Sequence, residues 1–393
     1  MLTPAAAESA IRSQAPRLPS EQVALRDATG RVLHEVVRAE RDQPPFNRVS
    51  MDGIALASSS GLQSFRIAGT QAAGAAPLTL ASPSDCIEAM TGAMLPTGCD
   101  CVIPVERLEV ANGMARLVDG ATPTPWLNIH RRGVDCLAGA EVMRPGTRLG
   151  PPEVAVLASA GKTHAQVARA PRIVVISTGD ELIEPGLPLS EWQIRRSNVY
   201  AVMAALRARG FAQVSDDHIA DDEAQLRERL AAHLRDADVL ILSGGVSMGK
   251  FDFVPKIMAE LGVKPQFHKI AQRPGKPMWF GIHPDGKAVY ALPGNPVSTL
   301  VCLARYVLPG LDAAAGLVPN AEPVLALAET CKPSADLTLL MPVRLSGSPS
   351  VAHPRPTQGS GDFTSLLGTD GFIELPPGDR PAERGTLVKF YRW

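Results

Sequence analysis

No two cysteines in this chain have the CxxC spacing of a zinc or redox motif, and six in 393 residues (Cys86, Cys99, Cys101, Cys136, Cys302, Cys331) are too sparse for a disulfide framework. Cys99 and Cys101 would share one face of a strand, where small buried side chains are the expectation. Neither sign of charge is in excess. Thirty-nine Lys and Arg against 40 Asp and Glu leave a net charge of −1, which excludes the basic stripe of a nucleic-acid binder and points to small-molecule partners. No apolar run approaches the roughly 18 residues of a membrane span, and MLTPAAAESAIRSQAP lacks a charged region followed by an apolar core. A cytoplasmic protein is expected, with two to four domains at roughly 150 residues each.

What is present centres on Asp238 to Phe253, DVLILSGGVSMGKFDF. Val239 to Leu242 is an unbroken apolar run that suits a strand buried on both faces of a parallel sheet, ended by SerGlyGly. Ligands in open α/β sheets sit at such strand ends. Gly244 and Gly245 have no Cβ to keep a ligand from their N–H groups, and Ser243 and Ser247 add hydroxyls, so an oxygen-rich anion is the natural guest. Asp252 would suit a Mg²⁺ ion bridging carboxylate and anion. The alternative is a tight turn whose Asp is merely solvated. Gly244, Gly249 and Lys250 have the GxxxxGK spacing of a P-loop, but Phe251 replaces the Ser or Thr hydroxyl that should hold Mg²⁺, so that match is defective.

Along the chain, residues 1 to about 34 read as helical. ERDQPPFNRVSMDGIAL follows, with Asp52 at a turn tip where an Asx-turn role competes with a functional one. Residues 41–136 read as a β-rich insertion, with Thr91 and Gly92 in a loop between two β-like runs. GPPEVAVLASAGK reads as a helix packing beside the first, so that 1–40 and 137–170 form a discontinuous helical domain. From 171 to 315 strands and helices alternate, and the turns TGDE (Thr178, Gly179, Asp180, Glu181), SGGVS and PGNPVS (Pro293, Gly294, Asn295, Pro296, Ser298) converge on one edge of a sheet. Ser197 and Asn198 precede a helix, Asp222 with Gln225 has capping-box spacing, and Arg273 and Lys276 sit in a ProGly-stiffened loop that would clamp phosphates or be merely exposed. Residues 316–393 read as a small β domain.

These motifs resemble the molybdopterin molybdenumtransferases, the molybdenum insertases to which the C-terminal domain of gephyrin belongs. PPFNRVSMDGIA, TGAMLPTGCDCVIP, STGDEL, RRSNVY, LSGGVSMGKFD, RPGKP and LPGNPVS stand in family order. The resemblance implies a multidomain α/β protein. It would have a central three-layer α/β/α molybdopterin-binding domain, a discontinuous helical domain, a β-rich inserted domain and a small C-terminal β-barrel-like domain. It also implies a homodimer whose site is closed by the other subunit's insertion. The implied activity is insertion of molybdate into adenylylated molybdopterin with Mg²⁺ and release of AMP, with transient contact to the molybdopterin adenylyltransferase and apo-molybdoenzymes. Carried over, Asp52, Asp252 and Lys276 would be catalytic, and Asp252 with Asp221 would face the metal. Thr91, Gly92, Thr178 to Glu181, Ser197, Asn198, Ser243, Gly244, Gly245, Val246, Ser247, Arg273 and the PGNPVS turn would line the substrate pocket.

The chain departs from the family pattern at Asn47, Arg48, Arg196 and Lys250, which remove negative charge around an anion crevice. That change would tighten phosphate binding or alter the chemistry. The competing readings are a non-catalytic molybdopterin-binding scaffold and a P-loop-like nucleotide hydrolase.

Overall fold

The computed structural model describes residues 1–118, 120–246 and 253–393. It comprises two compact units, Met1–His34 with Pro145–Gly150 and Ala165–Trp393, and Glu35–Arg144 with Pro151–His164.

The first unit is built on a six-stranded sheet of β1 (Ile173–Thr178), β2 (Val214–Ile219), β3 (Val239–Ser243), β4 (Lys264–His268), β5 (Trp279–His283) and β6 (Lys287–Leu292), in spatial order β2-β1-β3-β6-β5-β4. β2, β1, β3 and β6 are parallel, whereas β5 and β4 add an antiparallel edge. The inner strands are apolar except at their ends, as in IVVIST of β1 and VLILS of β3, because helices cover both faces. Ile173, Val175, Val239, Ile241 and Tyr290 face α1 (Pro4–Gln14), α2 (Asn198–Ala208) and α5 (Pro296–Ala314). Val174, Ile176, Leu240, Leu242 and Val289 face α3 (Glu223–Asp236) and α4 (Val254–Glu260). This is the expected three-layer core. As the spacing predicts, the Asp222 carboxylate caps α3 by accepting from Gln225 N at 2.8 Å.

α5 is long and apolar enough by composition to cross a membrane, a run the sequence reading passes over, but 78% of it is buried inside the protein and it carries Arg305. Its middle, Leu303–Val307, widens into a π turn.

The helix expected to about residue 34 stops at Gln14. Pro16 keeps the residue before it out of the helical region, and Ser20–Ala24 is a strand. Val32 and Leu33 lie in isolated bridges to Arg148 and Val167, not on a helix face. Within 137–170 only Pro151–Ser159 is α-helical, and α1 packs on α5.

Beyond α5 the chain forms β7 (Val324–Leu327), β8 (Thr338–Ser346), β9 (Val351–Pro354), β10 (Gly371–Leu375) and β11 (Leu387–Arg392), in order β8-β9-β7-β11-β10. β10 pairs back onto β8, so five strands close into a barrel without free edges. Gln272–Arg273 pairs with β8 and ties the RPGKP loop to the barrel.

The second unit holds a six-stranded sheet in the order Cys101–Pro104, Gly53–Leu56, Asp85–Ala89, Ser64–Gln71, Met114–Leu117, Leu108–Ala111. Gly53 is fixed by its neighbour, because a Cβ there would lie 1.9 Å from Ile103 O. Cys99 and Cys101 are both buried, but Cys101 packs with Phe65 and Cys86 while Cys99, in the turn before the strand, packs with Val49 and Ala93. The shared strand face is therefore not formed. Burial, then Asp100, pushes both thiols up to about 12, so they stay protonated and inert.

Candidate active site

Three of the predicted turns meet at the C-terminal edge of the parallel strands. Thr178, Gly179 and Glu181 after β1, Gly244, Gly245 and Val246 after β3, and Pro293, Gly294 and Asn295 after β6 line one crevice of about 360 Å³, with Asp221 on its wall. The glycines are there for space as well as conformation. Gly244 and Gly245 have φ of +105° and +68°, and a Cβ on Gly244 would lie 2.9 Å from both Thr178 O and Thr178 Oγ1. Asn198, at the first turn of α2, stitches the turns together. Its Nδ2 donates to Ser243 Oγ at 2.9 Å and to Gly294 O at 2.6 Å. Ser197 is the N-cap residue of that helix.

Two polar atoms at these turns, Thr178 Oγ1 on the crevice wall and Asn198 Oδ1 on the side chain that bridges Ser243 and Gly294, are buried without a hydrogen-bond partner among the described residues. Leaving such groups unmade costs about 1–3 kcal/mol each, a penalty that a partner reaching these turns would remove. Asp180 is exposed, and its Oδ1 accepts from Asp221 N at 3.1 Å. His218, which the sequence reading does not single out, places Nε2 3.0 Å from Gly179 O. As only an acceptor faces it there, Nε2 carries the proton. Ser247, Gly249, Lys250 and Asp252 lie outside the described residues, and so does most of the P-loop lookalike.

A second, larger cleft of about 590 Å³ adjoins the first through Pro277, Pro293 and Asn295. Arg273, Lys276 and Ser298 line it from the α/β side, and Met341 and Pro356–Ser360 line it from the barrel. Neither Arg273 nor Lys276 pairs with a carboxylate among the described residues, so both cations are available to an anion. The barrel side was missed in the sequence, although PTQGSG is a Gly- and Ser-containing loop of the same kind as those read as cradles. Ser360 closes it onto the site. Its Oγ accepts from Asn295 Nδ2 at 2.6 Å and its carbonyl from Val297 N at 3.0 Å, so Asn295 heads α5 without capping it by side chain.

Asp52, Thr91 and Gly92 belong to the second unit. Asn47–Val49 runs alongside Gly92–Leu95 through backbone bonds, which brings the MetAspGly turn against Thr91. Asp52 Oδ1 accepts from Thr91 N and Thr91 Oγ1, both at 2.6 Å, and these bonds hold its carboxyl below the usual carboxylate range. Asn47 Oδ1 accepts from Arg132 N at 3.0 Å. Arg48 Nη2 lies 3.1 Å from His130 Nδ1, so His130 donates from Nε2 to Asp135 at 2.8 Å. Arg196 is not a loose cation at the crevice, as the sequence suggests. It is buried and ion-paired to Glu184 and Asp216.

Family models cover most of the chain. The MoeA N-terminal region (domain I and II) matches residues 2–161, a "probable molybdopterin binding domain" matches 174–313, and the MoeA C-terminal region (domain IV) matches 325–393. The chain is 39% identical over 401 residues to the molybdopterin molybdenumtransferase of Synechocystis sp., covering 100% of both. The chain belongs to the molybdopterin molybdenumtransferase family. A second member, from Haemophilus influenzae, is 35% identical over 79% of this chain and 76% of its own. The solved molybdopterin biosynthesis MoeA protein of Pyrococcus horikosii superposes with a TM-score of 0.79 at 29% identity, over 100% of this chain and 99% of its own. Membership in this family of transferases of molybdenum cofactor biosynthesis fits the two-part cleft, whose crevice lies inside the region matched to molybdopterin binding.

Proposed function

We propose that the protein inserts molybdate into adenylylated molybdopterin, cleaving the adenylyl phosphoanhydride and releasing AMP and molybdenum cofactor. The observation that carries this reading is the convergence of three strand-end turns around the unpartnered Thr178 Oγ1 and Asn198 Oδ1. The crevice takes the substrate's polar ring and phosphate groups, and the adjoining cleft offers Arg273 and Lys276 to its anionic part. Cleavage of a phosphoanhydride demands positioning and charge neutralisation more than a strong nucleophile, and these residues supply both.

Mg²⁺ fits the donor set. It is commonly held by one or two carboxylates plus phosphate oxygens, and Glu181 and Asp221 share the crevice wall. When bound, it neutralises charge on the phosphate oxygens. Asp221 is the residue assigned to it here, and Asp252 is its proposed companion. Asp52 with Thr91 is read as the part of the site supplied by the other subunit of a homodimer, in the cytoplasm. The adenylyltransferase that makes the substrate and the apo-molybdoenzymes that take the product are the proposed transient partners.

The test mixes the purified protein with adenylylated molybdopterin, Mg²⁺ and molybdate, and measures AMP release together with activation of a molybdenum-free apo-enzyme. Both are expected. Tight binding with neither product would replace the insertase with a carrier.

A further inference from the structure

We propose that Arg196 is a positioning residue of the crevice, which sets the start of α2 and, through Asn198, the spacing of the SerGlyGly and ProGlyAsn turns. The proposal rests on the crevice being the substrate site and deepens that reading.

Arg196 is 7% exposed, and its guanidinium is engaged on every nitrogen. Nε donates to Ser177 Oγ at 2.7 Å, Nη1 to Glu184 Oε2 at 2.7 Å, and Nη2 to the Asp216 carboxylate and to Asp217 O at 3.2 Å. Its backbone N–H donates to Ile183 O at 3.1 Å. One side chain thus locks the segment after β1 to the end of β1 and the middle of β2. Two carboxylates neutralise its charge, so it adds little field at the crevice. The buried fork is tolerated because each of its three nitrogens has an acceptor and two carboxylates offset its charge.

Two residues on, Asn198 bridges Ser243 and Gly294. Glu184 accepts from Tyr200 OH as well, so the carboxylate that holds Arg196 also holds the first turn of α2. With Arg196 fixed from one side and Tyr200 from the other, the intervening Asn198 has little freedom, and its Oδ1 stays aimed where no described residue answers it. A lysine cannot reproduce this. It has the charge but not the planar fork that reaches Ser177, Glu184 and Asp216 together.

The experiment compares AMP release and calorimetric AMP binding for the unmodified protein, Arg196→Lys, Glu184→Gln, Asn198→Ala and the double variant Arg196→Lys/Asn198→Ala. Small misplacements of positioning groups cost on the order of 10- to 100-fold in rate. Arg196→Lys is expected to lower kcat about tenfold and Glu184→Gln several-fold. The double variant is expected to be no slower than Asn198→Ala alone, because both substitutions remove one function. A merely structural arginine would lower Tm and leave kcat per folded molecule unchanged, and that result overturns the proposal, as do fully additive losses in the double variant. Should Arg196→Lys not fold, Glu184→Gln decides, since unchanged kcat and AMP affinity there sink the idea. An unmodified chain that releases no AMP overturns the insertase reading alone. Arg196→Lys or Glu184→Gln must then still weaken AMP binding, about tenfold for the former, for the positioning role to stand.

Discussion

Asp52 shows how a single exposed side chain is prepared by its partners. Two short bonds from Thr91 lower its pKa and outweigh the slight desolvation that raises it, so it is ionised throughout the neutral range. Asp52→Asn is expected to cut AMP release about a hundredfold with little change in Tm, the size of loss typical for a group acting on developing charge. Thr91→Ala removes one of the two bonds and lets the carboxyl titrate at higher pH. The acid limb of the pH–rate profile then moves to higher pH, which initial rates between pH 3.5 and 6 would reveal. Gly244 is constrained differently, by a left-handed φ and by Thr178 at 2.9 Å from any Cβ. Gly244→Ala is expected to cost about 1–3 kcal/mol of stability by urea unfolding and to weaken AMP binding as the turn shifts. Unaltered affinity would mean that this turn does not approach the ligand.

At the scale of elements, β3 was legible because its apolar run is longer than a turn and ends on glycines, and its neighbours β1 and β6 were legible for the same reason. β4 was not, since KPQFH is an edge strand exposed at three positions and carries no alternation. Val23, Leu25, Val32 and Leu33 fit a helical stripe as well as short strands, and only their partners decided between these. The convergence of TGDE, SGG and PGN followed from parallel topology, whereas the Arg196 network could not be read because Glu184 meets it through the pairing of Leu182–Ile183 with Ile194–Arg195 and Asp216 only once β2 pairs with β1. At the other end of β3, Asp238 illustrates an element held by charge. Burial would raise its pKa, but the bidentate Arg169 fork and the Arg172 N–H outweigh burial and hold it at about 2. With a folded value below the unfolded one of about 3.9, its contribution is complete above pH 4 and is lost as pH falls toward 2. The loss amounts to no more than about 2.6 kcal/mol. Asp238→Asn should therefore flatten the fall of Tm between pH 4 and 2, and an unchanged slope in calorimetric melts would contradict this.

At the largest scale within the first unit, Arg305 joins three layers. It rises from the π turn of α5 at 1% exposure, pairs with Glu8 of α1 at 2.6 Å and Glu374 of β10 at 3.2 Å, and lies 4.4 Å over the Tyr391 ring of β11. One cation thus couples the N-terminal helix, the α/β core and the barrel whose Pro356–Ser360 loop walls the larger cleft. Its Nη2 is buried without a partner among the described residues, so the network is incompletely satisfied and is not the cheapest way to hold these parts together. Arg305→Ala leaves two half-buried carboxylates facing each other and should cost about 3–5 kcal/mol. Arg305→Met with Glu8→Gln and Glu374→Gln should recover most of that stability, because no uncompensated charge remains buried. If the arginine serves only stability, the triple variant will also release AMP at the wild-type rate. If it also holds the barrel loop against Asn295, the triple variant will melt like the wild type but show a raised KM. Urea unfolding and steady-state kinetics on the same preparations separate the two outcomes.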